Sequence, residues 1–174
     1  MIFHLNLLHL VLVLAAVAGV YFAIRESRCR VMRHTRLLNL PLVAVLPALI
    51  LLLFQLAAHQ PAWTFTAAFA LGLVAGGARG ATMMLEVDQN WRLMRPTGRR
   101  ALFLVSLMLP TAVGLEITGA MGGPPGMPLR MAGAYAAMLC AGLLIGRSFV
   151  LAVRQWRAPH VDLRRDGSIY HLHV

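Results

Sequence analysis

Five long apolar segments, separated by short segments that carry the arginines, are the feature that most constrains the fold of this chain. A helix needs about 20 apolar residues to cross a bilayer, and each segment is close to that length. Hydrophobic residues make up 59% of the 174 residues and charged residues only 13%, far from the balance of a water-soluble domain. The predicted membrane-spanning helices are residues 2–24, 37–57, 62–79, 101–120 and 129–153.

The placement of the arginines predicts which way the chain sits. All 16 basic residues are arginine, and 15 of them fall in residues 25–36, in residues 79–100 or from residue 147 onward, whereas Arg130 lies alone on the opposite side. Basic residues accumulate on the cytoplasmic side of a membrane. The sequence therefore predicts an all-α integral membrane protein with five transmembrane helices, its N-terminus outside and its C-terminus inside.

The partner that these charges indicate is the lipid bilayer. A net charge of +10 is also typical of proteins that bind nucleic acid, but here the charges stand at the ends of apolar segments, so no nucleic-acid partner is expected. Positive charge follows the first apolar segment and does not precede it. That order favours a permanent helix over a cleaved signal peptide.

Two polar segments predict short β-hairpins on the cytosolic side of the helical bundle, which occupies residues 1–157. In residues 82–98 the chain alternates so that Glu86 and Asp88 face away from their apolar neighbours. The cytosolic tail, residues 158–174, contains Asp-Gly between two apolar runs, which is typical of a tight hairpin turn. On the opposite side, the glycine- and proline-rich residues 121–128 predict a turn without helix, and Pro47 predicts a bend in the second helix.

Glycines recur at every fourth position of the third segment, at Gly72, Gly76 and Gly80, and again in the fifth segment at Gly142 and Gly146. Small residues let helices approach closely in lipid, where association depends on packing. These five glycines are therefore candidate helix-packing residues. Packing of the third segment against the fifth and pairing of two copies in a homodimer are both open.

The order of these motifs resembles the CcdC-like family of small bacterial inner-membrane proteins and its uncharacterised relatives. The resemblance is carried by the glycine helix at residues 71–76, by residues 85–88 and 95–98, and by the Gly-Arg end of residues 141–147, within residues 37–157. It implies an inner-membrane protein of four or five helices. It implies no reaction and no catalytic residue.

Glu116 is the only acidic residue within a predicted span. Acids inside a membrane are costly and are often functional. Three interpretations are open: a proton or cation site, a structural buried pair with a group such as Arg130, and a helix end exposed to water. Glu116 is therefore the candidate intramembrane functional residue.

Three histidines are candidates at the outer face: His4, His9 and His59. Methionines lie near them in the predicted topology, and imidazole with thioether suits copper or haem. Ordinary interfacial histidines explain the same pattern without a metal. No cofactor is the expected state, with haem or copper as the alternative.

The favoured function is an accessory or assembly factor that acts through helix packing with itself or with a membrane-protein partner. The alternatives are a small transporter or proton-coupled carrier that uses Glu116, and a membrane enzyme that acts on lipid. The enzyme is the least favoured, because no catalytic-triad, zinc-protease or phosphate-loop spacing is present. A polar cavity reaching Glu116 would favour the transporter, a dry and closely packed bundle with an exposed glycine or aromatic stripe the accessory factor, and an open outer pocket the enzyme.

Overall fold

The computed structural model describes residues 7–28, 32–33, 37–88, 93–96 and 100–161. Within these ranges the chain forms a helical bundle with a small sheet at one end. The helices are α1 (Leu7–Arg28), α2 (Asn39–Ala57), α3 (Ala62–Thr82), α4 (Arg100–Ser106), α5 (Met108–Met121) and α6 (Met127–Arg154). The strands are β1 (Met32–Arg33), β2 (Leu85–Asp88), β3 (Leu93–Pro96) and β4 (His160–Val161).

The helical architecture predicted from the sequence is confirmed. Of the residues that the structure describes, four stretches are long and apolar enough to cross a membrane: α1, α2, residues Leu102–Met121 and residues Met127–Arg157. α3 is not among them, because its four glycines, three threonines and Arg79 lower its mean hydropathy. The count of five spans therefore stays a prediction. The length of α3, 21 residues, corresponds to about 31 Å at 1.5 Å per residue.

Pro47 and Pro110, each near the middle of an apolar segment, have different effects. α2 continues through the buried Pro47 as one helix of 19 residues. At Pro110 the missing N–H leaves the carbonyl of Ser106 without its helical donor, and the chain divides into α4 and α5 at Leu107. The two helices remain nearly continuous, because the carbonyl of Leu107 accepts the backbone N–H of Thr111 at 3.3 Å.

α6 is the central helix of the bundle. It packs against α3, α5 and α2, while α1 packs against α2, α4 and α5. Small residues dominate its buried surface, including Ala134, Ala137, Cys140 and Ala141, so the neighbouring helices come close to its backbone. The core is therefore built around α6.

The sheet joins the ends of three helices. Its strand order is β1-β3-β2-β4, in which β3 pairs antiparallel with both β1 and β2, and β4 pairs parallel with β2. Because β1 follows α1, β2 follows α3 and β4 follows α6, those three helices end at the same end of the molecule. The hairpin predicted within the tail falls, beyond Val161, outside the described residues.

β2 follows the predicted alternation except at its last residue. Leu85 and Val87 are buried against Leu37 and Leu151 in a second, smaller core. Asp88 is 1% exposed, so burial does not alternate at this position, and the face that its side chain takes stays a prediction. The parallel pairing of β4 with this end of β2 covers the position.

The connection at the opposite end of the bundle was predicted as a turn throughout. Gly123 has a positive φ of 63°, and a short 3-10 turn spans Pro124–Gly126. The prediction was wrong for Met127 and Pro128, which begin α6. Proline is tolerated there because the first N–H groups of a helix have no helical acceptor.

Candidate functional site

The five glycines singled out from the sequence lie face to face between α3 and α6. A methyl group added to Gly76 would collide with the carbonyl of Leu143, and one added to Gly72 with the carbonyl of Leu139. The glycines of α6 face the backbone of α3 in the same way. A methyl group added to Gly142 would collide with the carbonyl of Phe69, and one added to Gly146 with the carbonyl of Leu73. At Gly80 the added carbon would lie 3.0 Å from the carbonyl oxygen of Arg147.

The glycine contact is therefore one within a single chain. All five glycines are buried, and the two backbones lie too close for a Cβ to fit between them. A homodimer through these glycines would require α3 and α6 to separate. The stripe that the sequence offered as a docking surface is already occupied.

Polar side chains of α6 reinforce its contact with α3. The guanidinium of Arg154 donates from Nη1 to the carbonyls of Gly80 and Met83, at 2.7 Å each. These carbonyls lie at the C-terminal end of α3, where the last carbonyl groups have no backbone N–H donor within the helix. At the other end of the contact, the Tyr135 hydroxyl donates to Thr64 Oγ1 at 2.9 Å.

Glu116 lies at the contact between α5 and α6. Its side chain is 0% exposed, and Arg130 Nε donates to its Oε1 at 2.7 Å. Gly119 and Gly133 bring the two helices together there, since a methyl group on either would meet α6 or α5 at 2.7 Å or less. The interpretation as a water-exposed helix end was therefore wrong, because the carboxylate is covered by its own bundle.

The second oxygen of this carboxylate is left over. Glu116 Oε2 is buried and has no hydrogen-bond partner among the residues that the structure describes. A buried carboxylate oxygen without a donor is costly. The ion pair alone therefore does not satisfy Glu116.

A second buried ion pair, between Glu26 and Arg147, was missed from the sequence. Both Nη atoms of Arg147 donate to Glu26 Oε1 at 3.1 Å, and the two side chains are only 4% and 7% exposed. Glu26 lies among the arginines of residues 25–36, beyond the end of the first predicted span at residue 24. The structure extends α1 to Arg28, so Glu26 lies in the last turn of the helix.

A signal for Glu26 was present in the spacing. Gly19, Ala23 and Glu26 follow one another at intervals of four and three residues, and all three are buried. That spacing is typical of one helical face. Continuing the apolar face of the first helix would have placed Glu26 toward the interior.

Both ion pairs use an arginine of α6. Arg130 and Arg147 are 17 residues apart in the sequence, a separation of about 25 Å along a helix. Their partners, Glu26 on α1 and Glu116 on α5, are the only acidic residues in the helices of the described chain. α6 is thus tied to a different helix near each of its ends.

The candidate histidines do not form one site. His9 is 9% exposed and stacks on Phe54 with ring centroids 5.7 Å apart, whereas His59 is exposed in the turn after α2. His4 lies outside the described residues. Within the described part of the chain, no group of three or more His, Cys, Asp or Glu side chains is placed to hold a metal ion. The haem or copper alternative stays an untested prediction.

The chain was also compared with known proteins. It matches no family model, no curated protein and no solved structure. The resemblance to CcdC-like proteins therefore has no independent support.

Proposed function

We propose that this chain is an integral protein of a bacterial inner membrane that crosses the bilayer five times, with its N-terminus outside. The four apolar stretches support membrane insertion. The sheet supports a fifth crossing by α3, because it brings the ends of α1, α3 and α6 to the same end of the bundle. The ends of these helices, with the segments that follow them in the sequence, carry 15 of the 16 arginines, which supports placing this end of the bundle in the cytosol.

The proposed role is that of an accessory or assembly factor that packs against another membrane protein. The observation that carries this role is the internal pairing of the bundle's polar groups. Glu26 pairs with Arg147, Glu116 with Arg130, and Tyr135 with Thr64. A bundle that uses its polar side chains to hold its own helices together is suited to present its outer surface to a partner.

That outer surface cannot be the glycine stripe, which α3 and α6 bury between them. A row of exposed leucines on α2 is the more suitable face, since its members recur at alternating intervals of four and three residues. They are Leu49, Leu53 and Leu56. We therefore propose α2 as the helix that contacts the partner.

Photo-crosslinking in native membranes tests this role. A photoreactive residue at Leu49, which is 52% exposed, should form a crosslink to one specific membrane protein that mass spectrometry can identify. The same residue at Leu71 on α3, which is 66% exposed, is the matched control for general lipid exposure. Equal, diffuse crosslinking from both positions would contradict a partner on α2.

A proton-coupled carrier is the second candidate, and one observation favours it. Glu116 Oε2 is buried in a span without a donor, which is the type of oxygen that can accept a proton. The purified protein would then dissipate a pH gradient across proteoliposomes, and Glu116→Gln would abolish the flux. If vesicles that contain the wild-type protein keep their pH gradient as well as vesicles that contain Glu116→Gln, the carrier function is contradicted. Only the packing role would then remain.

The membrane enzyme has the least support. It requires Glu116 or a histidine in an open outer pocket, but Glu116 is fully buried and His9 lies under Phe54. Membership of the CcdC-like family remains a proposal that rests on motif order alone.

A further inference from the structure

A shallow apolar groove runs between α1 and α2 on the surface of the bundle. Its volume is about 430 Å³, and its lining includes Val11, Ala15 and Ala18 from α1 and Leu42, Val43 and Leu46 from α2. The two alanines leave space between the larger side chains on either side. In a bilayer, a groove of this kind is filled by a hydrocarbon chain.

The groove is aligned with exposed positive charge at one end of α1. Val11, Ala18 and Arg25 are seven residues apart, a spacing that keeps residues on one stripe of a helix within about 20° per step. Leu14, which also lines the groove, is followed at twice that interval by Arg28. Arg25 and Arg28 are both exposed, and Arg25 lies about 10 Å beyond Ala18 along the helix.

No carboxylate cancels this charge on α1. Glu26 lies between the two arginines in the sequence, but its side chain turns inward and pairs with Arg147. The internal ion pair thus leaves the surface end of the groove positive. An apolar groove with two exposed guanidinium groups farther along the same helix is complementary to an acyl chain joined to a phosphate.

We propose that the α1–α2 groove binds an anionic phospholipid, with an acyl chain along Val11, Ala18 and Leu46 and its phosphate at Arg25 and Arg28. The inference rests on the membrane placement proposed above, but not on the orientation or the protein partner. It assigns the two arginines a ligand in addition to their role in topology.

Native mass spectrometry of the full chain tests the proposal. The delipidated protein in neutral detergent is given equal amounts of phosphatidylglycerol and phosphatidylcholine with identical acyl chains. We expect retention of phosphatidylglycerol, with a preference that falls about fivefold for each arginine removed in Arg25→Gln and Arg28→Gln. Arg157→Gln, an exposed arginine after α6, is the matched control and should leave the preference intact.

A second variant tests the groove itself. Ala18→Phe should fill it and reduce binding of both lipids while the melting temperature is kept. If that variant is less stable, Leu14→Phe blocks the groove from its rim, where Leu14 is 60% exposed.

Several results would overturn the proposal. They are equal retention of both lipids, an unchanged preference in the double arginine variant, an equal loss in Arg157→Gln, or a homodimer that Ala18→Phe separates. If the protein is instead a monomer in buffer without detergent, the membrane placement itself fails.

Discussion

At the scale of single residues, two ion pairs tie α6 to its neighbours, one buried on both sides and one with a partly exposed arginine. Charges removed from water are costly unless they are paired and hydrogen-bonded. Arg147 donates two hydrogen bonds to one oxygen of Glu26, and Arg130 donates one to Glu116. Among the described residues, each pair leaves one buried atom without a hydrogen-bond partner: the donor Nε of Arg147 in the inner pair, Glu26–Arg147, and the acceptor Oε2 of Glu116 in the outer pair, Glu116–Arg130.

Breaking the inner pair should destabilise the protein strongly. We expect Glu26→Ala to lower the free energy of unfolding by about 3–5 kcal/mol, because Arg147 is left as a buried, unpaired charge. Thermal unfolding in detergent measures the effect. The double variant Glu26→Ala with Arg147→Met should recover much of the loss.

Arg157→Ala, an exposed arginine, is the control and should change stability little. If Glu26→Ala melts like Arg157→Ala, the ion pair is not a structural element of the bundle.

At the scale of elements, the contact between α3 and α6 depends on backbone proximity. A glycine in a helix interior is less favourable than alanine by about 1 kcal/mol, so a helix with four glycines needs a compensating reason for them. The carbonyls of Leu139, Leu143 and Arg147 on α6, which lie against Gly72, Gly76 and Gly80, supply that reason. The same glycines help to explain why α3 is not among the stretches that are apolar enough to cross a membrane.

Two alanine substitutions should therefore have opposite effects. Gly76→Ala places a methyl group against the carbonyl of Leu143, and we expect a loss of about 1–3 kcal/mol from overpacking. Gly114→Ala in α5 has no atom within 4 Å of the new carbon and should be neutral or stabilising. Melting temperatures of the two variants compare them directly, and a shift in the same direction for both would contradict the packing explanation.

At the scale of the whole molecule, the sheet is what relates the helices to one another. It is assembled from three segments that are far apart in the sequence, after α1, α3 and α6. Segments that pair in one sheet lie on the same side of a membrane. The chain must therefore cross the membrane an even number of times between any two of them. Four apolar stretches alone would permit α3 to lie on the surface, and the sheet argues against that arrangement.

Accessibility of single cysteines should decide the number of crossings and the orientation. In a full-length chain whose native cysteines are replaced by serine, we expect His59→Cys to react with a membrane-impermeant maleimide on intact cells. Met84→Cys should react only after permeabilisation. Both side chains are exposed in the structure, so burial does not limit either reaction. Identical labelling at the two positions would mean that α3 does not cross.

Local patterns predicted much of this fold because lipid imposes them residue by residue. The apolar segments and the alternation of Leu85 and Val87 each depend on neighbours within a few positions. The burial of Asp88 was not predicted, since it depends on β4, which is more than 70 residues away in the sequence.

By itself, the sequence determined that the chain consists of apolar helices with arginine at one set of ends, because transfer free energies act on each segment independently. Only the tertiary structure decided which groups meet. Glu26 pairs with Arg147, which is 121 positions away in the sequence. α3 packs closely on α6 because the glycines of each helix face the backbone of the other. Such pairings depend on which helices are neighbours, which no single segment encodes.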